Sequence, residues 1–198
     1  AFIGSGNMAI SILSGLVEKG YERSKLRISD PDPDQRRRAE EFGVGLFEDN
    51  NECTHGAELI LICVKPQIVK KVCQALTSTK GQLVISIAAG ITTKALSDWL
   101  PREQSIIRCM PNTPALIRQG ITGLYANEYS TPEQKENTEQ LLGSVGTTLW
   151  VTEENKLDVI TAISGSGPAY FFYLMEQMVI AGIELGITEN EALELTLQ

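Results

Sequence analysis

Short apolar segments alternate with stretches of helical spacing from the first residues onward, and this rhythm limits the chain to very few folds. Phe2-Ile3 opens a strand that breaks at Gly4-Ser5-Gly6. Residues 8–19 then place Met8, Ile12, Leu13, Leu16 and Val17 on one helical face, closed by Gly20. A second strand is predicted over 26–29. It ends at Asp30-Pro31-Asp32-Pro33, where two prolines forbid further pairing and open a helix to about residue 42. Residues 44–47 are a third strand candidate. The run 59–64 is apolar throughout and stops at Lys65-Pro66, as a strand buried on both faces does. A helix over 67–77, a strand over 83–88, a helix over 92–100 and a strand over 105–109 follow. Strands alternating with helices of about ten residues mean βαβ units and a mainly parallel sheet, the α/β class. Segments 123–126 and 148–151 are expected as edge strands flanking a helix that starts at Pro132.

Beyond Glu153 the rhythm changes. Residues 157–163, 168–185 and 189 onward all read as helix, so the chain divides into a sheet domain, 1–152, and the start of a helical domain, 153–198. The middle helix is apolar on nearly every side, with Tyr170-Phe171-Phe172-Tyr173-Leu174-Met175 followed by Met178-Val179-Ile180-Ala181-Gly182-Ile183. A helix without a polar face has to be covered by other helices. Two readings stand: the core of a longer helical part, or a subunit interface. The chain reads as a segment clipped at both ends, since the first residue lies in a strand pattern and the last lie in a helix.

The net charge of −8 argues against a nucleic-acid partner, because phosphate binding needs clustered Lys and Arg. No stretch approaches the roughly 20 apolar residues of a membrane span, and no leader pattern is read. Cys53, Cys63, Cys73 and Cys109 lack C-x-x-C spacing and His55 is the single histidine, so no metal site is expected. Isolated cysteines in apolar segments suit plain buried thiols in a reducing compartment; cytoplasm or an organelle matrix fits, and cytoplasm is the expectation.

Gly4-Ser5-Gly6-Asn7-Met8-Ala9 is a G-x-G-x-x-A fingerprint between an apolar strand and an amphipathic helix. The first glycine permits the turn and the second lets a diphosphate approach the backbone. Ala9 keeps the helix near the sheet, and the helix N-terminus presents N–H donors to the anion. This is the mark of a Rossmann-type, doubly wound sheet that binds a dinucleotide. Asp30, 24 residues after Gly6, stands where an acid accepts from the adenosine ribose hydroxyls and repels a 2′-phosphate. Arg36, Arg37 and Arg38 follow one turn later and can reach a phosphate, so both NADH and NADPH remain open. The strand ends Cys63-Val64-Lys65-Pro66, Ala88-Ala89-Gly90 and Cys109 to Pro114 face the same way. Asn112, held between two prolines, is a rigid amide for carboxamide or substrate, or an ordinary turn residue. Lys65 can protonate a substrate nitrogen or simply be solvated. Ser164-Gly165-Ser166-Gly167-Pro168 supplies a helix cap and donors that can hold a carboxylate. His55 is read in a polar loop after Asn50-Asn51-Glu52-Cys53-Thr54, so no histidine is placed to shuttle a proton in alcohol oxidation. A cyclic imine is protonated by water and its iminium accepts hydride without an enzymic acid, so orientation supplies most of the acceleration.

Five motifs together resemble the pyrroline-5-carboxylate reductases: Phe2 to Ala9, Val64 to Gln67, Ser86 to Ile91, Arg108 to Ala115 and Ser164 to Tyr170. The resemblance runs in order along the whole chain. It implies NAD(P)H-dependent reduction of 1-pyrroline-5-carboxylate to L-proline, an oxidoreductase reaction that ends proline biosynthesis. It further implies a Rossmann domain followed by an all-helical dimerisation domain, here truncated, with homodimers assembling into a larger homo-oligomer. It places the cofactor, NADPH or NADH, on Ile3, Gly4, Ser5, Gly6, Asn7, Met8, Asp30, Asn50, Cys63, Val64, Lys65, Pro66, Ile87, Ala88 and Ala89. Asn112, Ser164, Gly165 and Ser166 are expected near a small imino-acid substrate. The family's Ser-Pro-Gly-Gly-Thr substrate loop is expected beyond Gln198, so no catalytic residue is assigned within 1–198, and this segment should bind cofactor but reduce substrate poorly. Two competitors stand beside this reading. A β-hydroxyacid-type dehydrogenase wants a lysine on a later helix, and none follows Lys156. A cofactor-sensing module that binds without turnover is the other.

Overall fold

The sheet is built from β1 (Phe2–Ile3), β2 (Arg27–Ser29), β3 (Gly45–Phe47), β4 (Leu59–Ile62), β5 (Leu83–Ser86), β6 (Ile106–Met110), β7 (Gly120–Ala126) and β8 (Gly146–Trp150). Its helices include α1 (Asn7–Glu18), α2 (Pro33–Arg37), α3 (Asn50–Thr54), α4 (Pro66–Ala75), α5 (Thr93–Trp99) and α6 (Pro132–Leu142). The computed structural model describes residues 1–77, 79 and 81–198. They fall into two compact units, Ala1–Asp158 and Val159–Gln198.

In the first unit the strand order is β3-β2-β1-β4-β5-β6-β7-β8. Neighbours are parallel except for β6 and β7. Successive side chains of a strand point to opposite faces, and here both faces are covered. Phe2, Leu61, Ile85 and Ile107 pack with Ala9, Ile12, Leu13 and Leu16 of α1. Ile3, Ile60, Ile62, Val84 and Ile106 pack on the other face with Val69 and Cys73 of α4 and Leu96 of α5. Two covered faces explain why these strands read as unbroken apolar runs. The order reverses between β1 and β4, where the outgoing loops diverge and open a crevice at the carboxyl ends of the strands.

The mainly parallel α/β sheet matches the expectation from the sequence, with local departures. The helix expected from Pro33 to about residue 42 stops at Arg37, and a 3₁₀ turn at Glu40–Phe42 is ended by Gly43 at φ +64. Asn50–Thr54, to which the sequence reading gave no element, is a short helix, and His55 follows it in a turn. The helix has no apolar periodicity to announce it, and it forms because the Asp49 carboxylate accepts from the N–H groups of Asn51 and Glu52. The strand expected at 123–126 begins at Gly120 and lies inside the sheet between β6 and β8, so of the two expected edge strands β8 alone lies at an edge, opposite β3. Gly146 makes that pairing possible: its φ is +150, and a Cβ there would overlap the backbone of Gly120.

In the second unit a π-helical turn, Thr161–Gly165, continues α7 (Lys156–Ile160) toward α8 (Gly167–Glu184), and α9 (Glu189–Leu197) follows. The expected serine cap before Pro168 is not formed. Ser166 is itself in the right-handed helical region, its N–H donates to Thr161 O at 2.8 Å, and Ser164 Oγ donates to Ile160 O at 2.9 Å. The hydroxyl bonds backward along the helix instead of capping the next one. Gly182 lets α8 and α9 touch, since a Cβ there would lie 2.9 Å from Ala192 Cβ. Thr188 and Glu191 form a capping box at the start of α9. No residue of α8 is buried; Tyr170, Phe171, Phe172 and Tyr173 are 63–70% exposed. Among the described residues no helix is long and apolar enough to cross a membrane.

Candidate active site

The fingerprint turn joins β1 to α1 at the crevice between β1 and β4. Gly4 has φ +93, and a Cβ on it would meet Val64 Cγ1 at 2.8 Å and the Cys63 carbonyl at 3.1 Å. Only glycine suits both the torsion and the gap. Gly6 is different. Its φ of −67 and ψ of 176 are open to any residue, and a Cβ there would meet nothing within 4 Å. Neither strain nor neighbours require a glycine, so the open space in front of the backbone is the feature it preserves. Gly6 is also the N-cap of α1 and brings no side chain to occupy the first-turn N–H groups. Uncapped donors, the helix dipole and room for an anion coincide at one point, which is what a dinucleotide's diphosphate requires.

Asp30 leaves β2 beside this turn and is already engaged. Its Oδ2 accepts from Ser5 N at 2.9 Å and from Ser5 Oγ at 3.1 Å, while Oδ1 accepts from Asp32 N at 3.0 Å. Gly4 N donates to Ser29 O at 2.7 Å, so the two loops are tied together. Of the three arginines that follow, Arg37 turns to Asp34 at 2.9 Å. Arg36 donates to Asp30 O at 2.5 Å, and Arg38 donates to Asn7 Oδ1 at 2.8 Å, so Arg38 lies against the fingerprint loop and Arg36 against the Asp30 main chain. That pairing joins residues 31 positions apart, a distance at which no periodicity speaks.

The other expected residues of the first unit lie at or near the carboxyl ends of the strands. Ile3 is fully buried, its main chain bonded to Cys63 N at 2.8 Å, so only its backbone is within reach of a ligand. Asn50 opens α3 at the end of β3, and its Oδ1 accepts from Ser29 Oγ at 2.8 Å. Val64, Lys65 and Pro66 carry β4 into α4, with Lys65 exposed at the helix N-cap. Ile87 is half-buried, Ala88 is buried and Ala89 is exposed where β5 ends. Met8 is half-buried in the first turn of α1. Asn112 follows β6 and is buried; its Oδ1 accepts from Ile121 N at 2.9 Å and so holds the turn to β7. Ser164 and Gly165 lie in the π-helical stretch of the second unit, and Ser166 is its C-cap.

His55 stands away from these strand ends. It follows α3, and its carbonyl accepts from Arg27, the first residue of β2, which places it at the amino ends of the strands. All four cysteines are free thiols. Burial raises the pKa of each: Cys73 is pushed up to about 11, and Cys63 and Cys109 higher still. Protonated thiols are poor nucleophiles. Among the described residues no cluster of His, Cys, Asp and Glu can hold a metal ion.

The sequence reading passed over one polar group. Arg108 of β6 is 4% exposed and pairs with Glu154 at 3.2 Å and Asp158 at 3.3 Å. Glu154 in turn accepts from Thr93 N and Thr93 Oγ1, each at 2.7 Å. These residues are 46 to 61 positions apart.

Comparison with known proteins agrees with this geometry. Residues 1–90 match the family described as NADP oxidoreductase coenzyme F420-dependent, and residues 154–198 match pyrroline-5-carboxylate reductase dimerisation. The pyrroline-5-carboxylate reductase of Pseudomonas aeruginosa is 48% identical over 201 residues, covering 100% of this chain and 74% of its own length. A pyrroline-5-carboxylate reductase structure from Coxiella burnetii superposes with a TM-score of 0.91 at 40% identity, covering 100% of this chain and 74% of that one. The Plasmodium falciparum pyrroline carboxylate reductase, solved with NADP bound, gives 0.86 at 26% identity, covering 100% and 73%. Fingerprint crevice, strand order and full-length similarity converge: the chain belongs to the pyrroline-5-carboxylate reductase family.

Proposed function

We propose that the protein reduces 1-pyrroline-5-carboxylate to L-proline with NADPH or NADH. The observation that carries this reading is Gly6, a glycine whose torsion and surroundings ask for no glycine, standing over uncapped helix donors. When bound, the nicotinamide supplies a hydride. The chain's own residues do the rest. The Ser5 to Met8 main chain takes the diphosphate, and Asp30, Asn50, Arg36 and Arg38 surround the adenosine end. Ile3, the Cys63 to Pro66 corner and the Ile87 to Ala89 corner flank the nicotinamide side. The thiols stay protonated and His55 is remote, so no side chain of the crevice is assigned as a general acid. The substrate nitrogen takes its proton from water before hydride arrives, and orientation carries the acceleration.

Asn112 is proposed to lie near the imino acid. The Ser164-Gly165-Ser166 stretch is proposed, separately, as a carboxylate-holding element of the second unit. Residues 1–152 form the dinucleotide-binding part and 153–198 the dimerisation part in this reading. The apolar face of α8 supports a homodimer, and we extend this to a larger homo-oligomer working in the cytoplasm on a small molecule, without nucleic acid or membrane.

The test is oxidation of NADPH and of NADH by the full-length protein in the presence of pyrroline-5-carboxylate. A substrate-dependent loss of absorbance is expected. A protein that binds either nucleotide yet shows no rate above background is a sensor and not a reductase.

A further inference from the structure

Arg108 has no obvious place in the core of a sheet. Stripping a guanidinium of water costs several kcal/mol, and an apolar residue of similar size usually serves stability as well or better than a buried ion pair. Its surroundings show what it joins. Ile106 and Arg108 share the face of β6 that packs against α5, while Ile107 faces the α1 side. From there the guanidinium reaches Glu154 at 3.2 Å, and Glu154 uses both oxygens on Thr93, the first residue of α5 and itself buried. Asp158 adds a mostly exposed second contact at 3.3 Å, which solvent screens.

Two segments at the carboxyl ends of the strands leave from this clamp. Two residues after Arg108, at Met110, β6 gives way to the turn that carries Asn112. Immediately before Thr93 runs the corner of residues 87–92, with Ile87, Ala88 and Ala89. Ile87, Ala88 and Ile91 anchor that corner on the sheet, while Gly90 at its tip has φ +74 and a Cβ there would meet nothing within 4 Å. Its C-terminal end is held by the bonds between Thr93 and Glu154.

We propose that Arg108 and Glu154 are positioning residues for hydride transfer: the pair holds the 87–92 corner and the 110–114 turn in a fixed relation. This rests on the imine-reductase reading above. In that reaction a hydride, carrying both electrons of its bond, leaves C4 of the dihydronicotinamide and adds to the carbon of the protonated C=N bond. The π pair of that bond becomes the nitrogen lone pair, so the products are the oxidised nicotinamide and the secondary amine. Neither Arg108 nor Glu154 touches the reacting atoms; they set the corners between which those atoms must meet. Small misplacement at such a site costs rate steeply, of the order of a hundredfold for about 1 Å.

The experiment compares the protein with its Arg108→Met, Arg108→Lys and Glu154→Gln variants. Hydrogen exchange in the absence of nucleotide is the first readout. We expect amides 87–93 to exchange about tenfold faster or more in Arg108→Met and Glu154→Gln, with amides 4–9 unchanged. NADPH affinity by nicotinamide fluorescence should stay within about twofold, since the diphosphate turn is not attached to the clamp. The kcat should fall about tenfold or more with KM little changed, the primary isotope effect from 4-deuterated NADPH should rise, and Arg108→Lys should recover part of the rate. Should Arg108→Met fail to fold, Glu154→Gln, which removes the charge and keeps an acceptor for Thr93, decides alone. Wild-type exchange at 87–93, or an unchanged kcat and isotope effect, overturns the positioning role. So does an equal loss of nucleotide affinity and kcat, which is general damage. If the unsubstituted protein itself does not reduce the imine, the reductase reading has failed instead.

Discussion

The two units of this chain solve the problem of apolar surface in opposite ways. In the first, strands β1, β4, β5 and β6 carry apolar side chains on both faces, and both faces are closed by helices of the same chain. In the second, α8 is equally apolar, yet none of its residues is buried and four consecutive aromatics stand open. A single chain meets its hydrophobic demand when its own elements cover each other. An exposed patch of this kind marks a surface whose partner comes from elsewhere. The first unit is therefore where a ligand site can be argued from the chain alone, and the second is where assembly has to be argued.

Substitutions can break or sharpen that contrast. The largest effect is expected on α8. Replacing Phe171 and Phe172 together by Glu should weaken self-association by about three orders of magnitude or more, at about 2–4 kcal/mol for each central aromatic. Sedimentation that matches the unsubstituted protein would remove α8 from the interface. In the sheet, Ile62→Ala, at a fully buried position, should cost about 2–5 kcal/mol of unfolding free energy. Leu185→Ala, at a position 88% exposed, should change the stability of the dissociated chain by about 0.5 kcal/mol or less. Denaturant titration of both at low protein concentration is the check.

A finer contrast lies within the fingerprint. Gly4→Ala forces a Cβ into Val64 at φ +93 and should cost about 1–3 kcal/mol. Gly6→Ala should cost no more than about 1 kcal/mol, yet weaken NADPH binding about tenfold or more, an affinity change of about 1.4 kcal/mol. If Gly6→Ala binds normally, the diphosphate does not sit there. If Asp30 faces the adenosine end as proposed, Asp30→Ala should raise affinity for NADPH relative to NADH, severalfold at most, because the same carboxylate also holds Ser5. An unchanged ratio rejects Asp30 as the selector.

The smallest expected effect is a pH slope. Burial pushes Cys73 from 9.0 up to about 11. Between those values the unfolded chain has lost a proton that the folded chain keeps, so stability should fall as pH rises through this window. Cys73→Ala should flatten the slope; an identical slope would assign it to other groups.

Much of the candidate site could be read from the linear sequence because its parts sit at strand ends, where the rhythm breaks. Gly4, Gly6, Asp30, Pro66 and Gly90 each stop a regular element, and a stop is a local signal. What was missed had no such mark. The Asn50–Thr54 helix lacks apolar spacing and depends on a single cap from Asp49. The turn before α8 looks like a capping sequence, but its serine hydroxyl bonds backward and the helix runs on through a π-turn. Arg108 reads as an ordinary polar residue in a strand until Glu154, 46 positions away, is seen beside it.

The sequence by itself determined the class of sheet, the order of its elements and the glycine turn between β1 and α1, because these follow from periodicity and from backbone torsions within a few residues. Only the tertiary structure decided that β7 runs inside the sheet, that Asp30 is engaged by Ser5, that Arg38 alone of three neighbouring arginines bonds to the fingerprint, and that a buried ion pair links β6 through Glu154 to α5. Those are encounters between segments distant along the chain, and no local pattern of polarity encodes which charged side chain will meet which.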